Sequence, residues 1–248
     1  MLMIPPYSNY FVISYGLWAT ERSLCIAMEY LELGNLEKFF TSPMKEDDVI
    51  DITIQLSDGL SLMHECGFAH RELKPDVGIQ RIQYLHIMIL ADLLNNILVV
   101  QNRSDEDGSR WWVKIGDFSI SKRNVAGVTS LRTPVGTVAY MAPEVLGFFS
   151  LKELQLSQQK TSPSYTTAVD IWSLGVIVFR IITGEFPFPE TIDLARYATL
   201  GAPFPIGPLM KAGAPEDCID FLKRTMAPSA AMRPVAELLP YSPFCKPE

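Results

Sequence analysis

The sequence predicts an α+β fold, mainly helical with short β pieces, and three stretches carry that prediction. Two runs near the start, Phe11–Trp18 and Leu24–Tyr30, are β-branched and aromatic, with polar Thr20 to Ser23 between them as a turn. Further on, Val49, Ile52, Leu56, Leu60 and Met63 recur three or four apart and mark the apolar stripe of a helix. Ile171 to Ile182 is apolar nearly all round, which predicts a helix buried along its length as the axis of the domain.

The elements follow in order. Two strands alone are not a stable unit, so the first pair is expected to belong to a sheet whose other strands are absent from this sequence. Gly34-Asn35 breaks the second strand, and Leu36 to Phe40 forms a short helical turn. Ser42 and Pro43 are expected as N-cap and first residue of the striped helix, with Glu46, Asp47 and Asp48 following where the helix dipole favours negative charge. That helix should end near Gly67. Ile97–Val100 and Trp111–Ile115 pair around the polar loop Asn102 to Ser109. Lys122 to Tyr140 lacks periodicity and is a long loop, and long ordered loops are more often functional than decorative. Thr167 to Asp170 resembles a capping box for the axis helix, which Gly184 stops. Weaker helices follow around Ile192–Leu200, Glu216–Met226 and Val235–Leu239.

At 248 residues the chain has room for one large domain or two small ones, and 48% apolar with 20% charged residues argues against general disorder. A net charge of −7 does not point to nucleic acid or an anionic membrane as partner. Cys25, Cys66, Cys218 and Cys245 form no C-x-x-C pair, which fits a reduced intracellular protein, cytoplasmic or nuclear. Met1 to Tyr10 has no basic region of a signal peptide, and Ile79 to Leu94 is broken by Arg81, Gln83, His86 and Asp92, so no membrane span is expected. His64, His86 and Trp111-Trp112 are expected to serve packing or the surface rather than a site.

Chemistry concentrates in His70-Arg71-Glu72-Leu73-Lys74-Pro75, directly after the striped helix. Pro75 ends regular structure. A carboxylate that can accept a proton and a lysine that can neutralise charge, two residues apart, suit a loop that handles phosphate; the alternative is a solvated turn.

That stretch, with Lys114-Ile115-Gly116-Asp117-Phe118, Gly136-Thr137, Met141-Ala142-Pro143-Glu144, Asp170-Ile171-Trp172-Ser173-Leu174-Gly175 and Arg233-Pro234, resembles the eukaryotic protein kinase family in motif and in order. Lys74 and the Gly-Thr pair look like the serine/threonine branch. The resemblance implies a protein kinase-like fold in which 1–33 is a remnant of the small lobe and hinge and 34–248 is the large lobe. It also implies transfer of the ATP γ-phosphate to protein Ser/Thr hydroxyls, with Mg²⁺ and a protein substrate or binding partner. Met28 would be the gatekeeper, Glu29 and Leu31 would offer hinge backbone groups to the adenine, and Leu98 would pack under its ring. Asp117 and Asn96 would bind Mg²⁺, which demands hard oxygen ligands. Glu72 would stand as the proton acceptor and Lys74 would neutralise the transferring phosphoryl group. Arg71 would pair with phosphorylated Thr133 on the activation loop, upstream of Thr137. Glu144 and Arg233 would form a buried ion pair, and Asp170 would anchor the catalytic loop.

Four departures limit the transfer of function. No Gly-x-Gly-x-x-Gly loop, strand lysine or partner helix precedes Phe11. Glu72 replaces the family's Asp and moves the carboxylate by about a bond length, and misplacements of about 1 Å can cost ~10²-fold in rate. The metal-binding Asn belongs five residues after the base, yet that position is Val77; removing 77–95 brings Asn96 into place. The inserted segment is either translated noncoding sequence or a real loop. Ser119 stands where the family has Gly, at about 1–2 kcal/mol if a left-handed conformation is needed. The sequence therefore predicts a kinase with impaired transfer, or alternatively a pseudokinase, a binding module without transfer.

Overall fold

The structure, a computed structural model, describes residues 6–20, 24–39, 42–65, 97–102, 104, 110–116, 138–148 and 167–246. Its elements are strands β1 (Ser14–Ala19) and β2 (Leu24–Met28), helix α1 (Glu46–Glu65), strands β3 (Ile97–Gln101) and β4 (Trp112–Ile115), and helices α2 (Ala168–Thr183), α3 (Thr191–Leu200), α4 (Gly207–Lys211) and α5 (Glu216–Thr225). Short 3-10 turns occupy Pro6–Asn9, Leu36–Phe39, Ala230–Met232, Ala236–Tyr241 and Pro243–Cys245. Among the described residues, no helix is long and apolar enough to cross a membrane.

α2 is the axis the sequence predicts. From Val169 to Ile182 every residue except Arg180 is buried, and Trp172 and Phe179 are wholly enclosed. A helix without a polar face must be surrounded. α1, α4 and α5 pack on it, and the chain entering α1 is tied to it where the Met44 N–H donates to the Ile181 carbonyl at 3.0 Å. Gly184, at φ 75° and ψ −2°, ends α2 in the left-handed conformation that glycine adopts without a Cβ penalty, and its N–H donates to the Arg180 carbonyl.

α1 buries Val49, Ile52, Leu56, Leu60 and Met63, the stripe read from the sequence, against α2 and the β3–β4 hairpin. Two buried hydroxyls on the same face are satisfied within the helix: Thr53 donates to the Val49 carbonyl at 2.6 Å and Ser57 to the Thr53 carbonyl at 2.7 Å. The hairpin is antiparallel, with Ile97 opposite Ile115, Leu98 opposite Lys114 and Val99 opposite Val113. Its ladder slips between Val99 and Gln101, and there the Gln55 side chain bridges the gap. It accepts the Val113 N–H at 3.0 Å and donates to the Trp111 carbonyl at 2.8 Å. Each edge of the hairpin is extended by one bridge, Asn35 to Leu98 on one side and Phe11 to Ile115 on the other.

Four expectations are corrected. β1 begins at Ser14 rather than Phe11, because the Val12 N–H and the Tyr10 carbonyl bond Ile115 and leave β2 to pair with 14–19. α1 begins at Glu46, so Ser42 is not its cap; the Lys45 carbonyl accepts from Asp48 and Val49, and the Met44 bond to α2 holds the preceding chain outside the helix. Thr167 makes no side-chain capping bond because its backbone is already helical, at φ −53° and ψ −17°, where a cap needs an extended residue. The last predicted helix is a 3-10 run with Pro240 inside it, which no α-helix interior accommodates well. α4 was not anticipated. The helix end near Gly67, and Lys122 to Thr137 of the long loop, lie outside the described residues.

A Cβ built on Gly175 of α2 would lie 2.7 Å from Thr225 Oγ1 and 2.8 Å from Met226 Cγ, both in buried residues of the α5 end. Overpacking of this kind costs about 1–3 kcal/mol, against a helical gain of roughly 1 kcal/mol. Gly175→Ala is expected to lower the urea midpoint at unchanged m-value; a raised midpoint would show that α5 can recede.

Candidate functional site

The described site begins where β2 ends. Met28 closes the strand and is exposed, and Glu29 starts the connection towards Leu36 and α1. The Glu29 N–H donates to the Ile13 carbonyl at 2.8 Å, and the Ile13 N–H donates back to Glu29 Oε2 at 3.1 Å. Lys114 of β4 donates to both carboxylate oxygens at 2.8 Å, from a side chain only 4% exposed. Burial pushes the Glu29 carboxyl up, but the hydrogen bonds from Lys114 and Ile13 and the lysine's charge outweigh it and hold the carboxyl below its ordinary value.

The Glu29 N–H is thus engaged within the chain. The Leu31 carbonyl accepts the Gly34 N–H at 3.0 Å. The Gly34 carbonyl then accepts the Val99 N–H at 2.8 Å, and Asn35 bridges Leu98. Leu98 of β3 is therefore set beside the exit from this connection.

Beside the start of α2, Arg233 forms a fork on Glu144, with Nη1 to Oε1 at 2.6 Å and Nη2 to Oε2 at 2.8 Å. The guanidinium is fully enclosed, and it also donates to the carbonyls of Ala227, Ala168 and Pro228. It lies over the Trp172 ring, 5.0 Å from the centroid. Asp170 sits at the start of α2, and its Oδ2 is 2.7 Å from His64 Nε2 at the end of α1. Ser173 donates to the Tyr140 carbonyl at 2.9 Å. Arg180 donates to the Tyr140 hydroxyl at 2.6 Å and to Glu37 at 2.9 Å, so segment 138–148 is fastened to α2 at two places.

Of the residues singled out in the sequence, the structure ties Leu98 to Asn35 at the end of the connection that holds Glu29 and Leu31, and it pairs Glu144 with Arg233. Arg71, Glu72, Lys74, Asn96, Asp117, Ser119, Thr133, Thr137 and the segment 77–95 lie outside the described residues. Among the described residues, no group of three or more His, Cys, Asp or Glu could hold a metal ion. Sequence reasoning gave no part to His64, Lys114, Tyr140 or Arg180. His64 carried a signal, since it lies four residues after Leu60 on the buried stripe. Lys114 carried a weaker one, a charge between core-facing Val113 and Ile115, and nothing local names a partner as distant as Glu29.

A family model described as protein kinase domain matches residues 6–77 and 79–245. The serine/threonine-protein kinase RAD53 of Saccharomyces cerevisiae is 29% identical over 212 residues, covering 84% of this chain and 22% of that protein. The serine/threonine-protein kinase cds1 of Schizosaccharomyces pombe is 29% identical over 216 residues, covering 86% of this chain and 39% of that protein. The crystal structure of Rad53 1-466 in complex with AMP-PNP superposes with a TM-score of 0.64 at 25% identity, covering 96% of this chain and 51% of the other. This chain therefore spans well under half the length of these two curated relatives.

Two measurements test the site's electrostatics. Arg233→Met leaves the Glu144 carboxylate enclosed without its partner and is expected to lose about 3–5 kcal/mol in urea unfolding. Arg233→Lys should lose most of the same amount, because an ammonium cannot span the fork or reach the three carbonyls; a lysine variant equal to the parent would refute the fork's role. A carbon-detected NMR titration should place Glu29 below its ordinary value of 4.5 and Asp58 above 3.8, the latter because burial outweighs the Tyr10 hydrogen bond. Because the folded-state value of Glu29 is depressed, its contribution to stability is complete above the unfolded value and is lost as pH falls through the folded one.

Proposed function

This chain belongs to the protein kinase domain family, and on that premise we propose that it binds ATP at the Met28–Leu31 connection and transfers the γ-phosphate to protein Ser/Thr hydroxyls at a reduced rate. The observation that carries the reading is that the Glu29 N–H and the Leu31 carbonyl are both engaged within the chain, while Gly34 and Asn35 tie the end of this connection to Val99 and Leu98. The bound AMP-PNP in the similar Rad53 structure supports the same ligand class, and the serine/threonine kinases among the relatives support the hydroxyl acceptor. A protein substrate is the proposed partner. In this reading Asp117 and Asn96 supply oxygens for Mg²⁺, the donor type that ion requires, and magnesium when bound neutralises phosphate charge. Glu72 accepts the substrate proton, Lys74 steadies the phosphoryl group, and Arg71 orders the loop that carries Thr133 and Thr137.

The rate is reduced for reasons within the chain. Glu72 carries one methylene more than the aspartate its position calls for, the segment 77–95 separates Asn96 from the base in sequence, and Ser119 brings a Cβ to a position where the family has glycine. A second reading, a binding module that keeps the nucleotide site without transfer, rests on these same substitutions.

Calorimetric titration with Mg-ATP and a γ-phosphate transfer assay on Ser/Thr peptides separate the readings. Saturable binding with slow transfer is expected from the unaltered chain. Glu72→Asp combined with removal of 77–95 should raise transfer by about 10²-fold, the cost of a ~1 Å misplacement. Binding without transfer in that repaired chain would favour the binding module, and fast transfer by the unaltered chain would overturn the impairment.

A further inference from the structure

Lys114 is among the few charged side chains enclosed in the described structure, and its backbone and side chain face two different parts of the proposed nucleotide site. In the β3–β4 ladder it lies directly opposite Leu98. Opposed residues of an antiparallel pair share one face of the sheet, and Ile97, Val99, Val113 and Ile115 take the other face, towards the core. Leu98 and Lys114 therefore stand side by side on the face away from that core. From there the ammonium reaches both oxygens of Glu29.

We infer that Lys114 is a positioning residue for nucleotide binding, coupling the strand beneath the base to the hinge so that the Glu29 carbonyl and Leu31 N–H stay aimed at one adenine edge. This inference rests on the nucleotide-binding reading above. The hydrogen bonds form a closed ring. Ile13 bonds Glu29 twice, Glu29 bonds Lys114, and the next residue, Ile115, bonds both Tyr10 and Val12, just ahead of Ile13. Three donor contacts converge on one carboxylate, which fixes the direction in which the chain leaves β2.

A purely adhesive role is a poor account of the same residue. An enclosed lysine–glutamate pair gains little net stability after desolvation, and an apolar side chain of the same length often packs as well. Methionine would fill the space beside the Trp112 ring, 5.4 Å from the ammonium, yet could not orient a carboxylate. The role that methionine cannot replace is directional.

The test compares the full chain with Lys114→Met and Lys114→Arg. Amide hydrogen exchange is followed at Ile13, Glu29 and Leu31, with α2 as internal control, and AMP-PNP with Mg²⁺ is titrated by calorimetry. The methionine variant is expected to exchange faster at Ile13 and Glu29 with α2 unchanged. Its AMP-PNP affinity should fall about tenfold, as for a hinge in competent geometry a tenth of the time, and arginine should restore most of it. Unchanged AMP-PNP affinity or unchanged exchange in the methionine variant would overturn the inference alone. Faster exchange throughout α2 would make Lys114 a requirement of the fold and overturn the positioning role. Failure of the unaltered chain to bind AMP-PNP would overturn the nucleotide reading and this inference with it.

Discussion

The structure depends on one constraint: α2 has no polar face. Every side of it must be covered by another element, and the few polar groups it carries must find partners inside the protein. Asp170 takes His64 from the end of α1, Ser173 takes the Tyr140 carbonyl, and Arg180 takes both the Tyr140 hydroxyl and Glu37. Arg233 reaches back to the Ala168 carbonyl at the helix start while gripping Glu144. These contacts come from parts of the chain far apart in sequence, so burying one apolar helix also fixes where the 138–148 segment and the end of α1 must lie.

The second organising contact is smaller and sits at the edge of this frame. Lys114 joins β4 to Glu29, and the chain from Tyr10 to Ile13 threads between the two sheets, bonded to Ile115 on one side and Glu29 on the other. A two-stranded sheet has little stability of its own. The β1–β2 pair gains its footing through this junction and through the Gly34 and Asn35 bonds to β3. The same few residues therefore determine both whether β1 and β2 stay docked and how the Glu29–Leu31 backbone is presented.

Much of the frame was legible in the sequence because it obeys period rules. The stripe from Val49 to Met63 and the uninterrupted apolar run from Ile171 to Ile182 needed only a helical wheel, and the strands needed only their β-branched runs. Glu144 and Arg233 were legible only through the family resemblance, since nothing local links residues so far apart. The misjudged points are where tertiary contact overrides local grammar. Ser42 has the chemistry of a cap, but the bond from Met44 to α2 delays the helix by a turn. Thr167 to Asp170 has the letters of a capping box, but Thr167 is already helical and Asp170 is turned to His64. His64 and Lys114 were passed over for a related reason: each is given its role by a partner the sequence does not place nearby.

This separation of frame from chemistry bears on what the chain's substitutions can do. The groups that hold the lobe together, namely α2, the Glu144–Arg233 fork and the Lys114–Glu29 junction, keep mutually suited residue types, and none of the departures at Glu72, Ser119 or 77–95 falls on them. A longer carboxylate at position 72, the proposed proton acceptor, removes no partner from the described core. A change in transfer rate can therefore arise without a matching loss of stability, whereas changes at Arg233 or Gly175 act on the fold first and on any activity through it. On the proposed reading, nucleotide binding is likewise separable from how fast the phosphate moves, because the residues invoked for the base lie in the Met28–Leu31 connection and β3 and carry none of these departures.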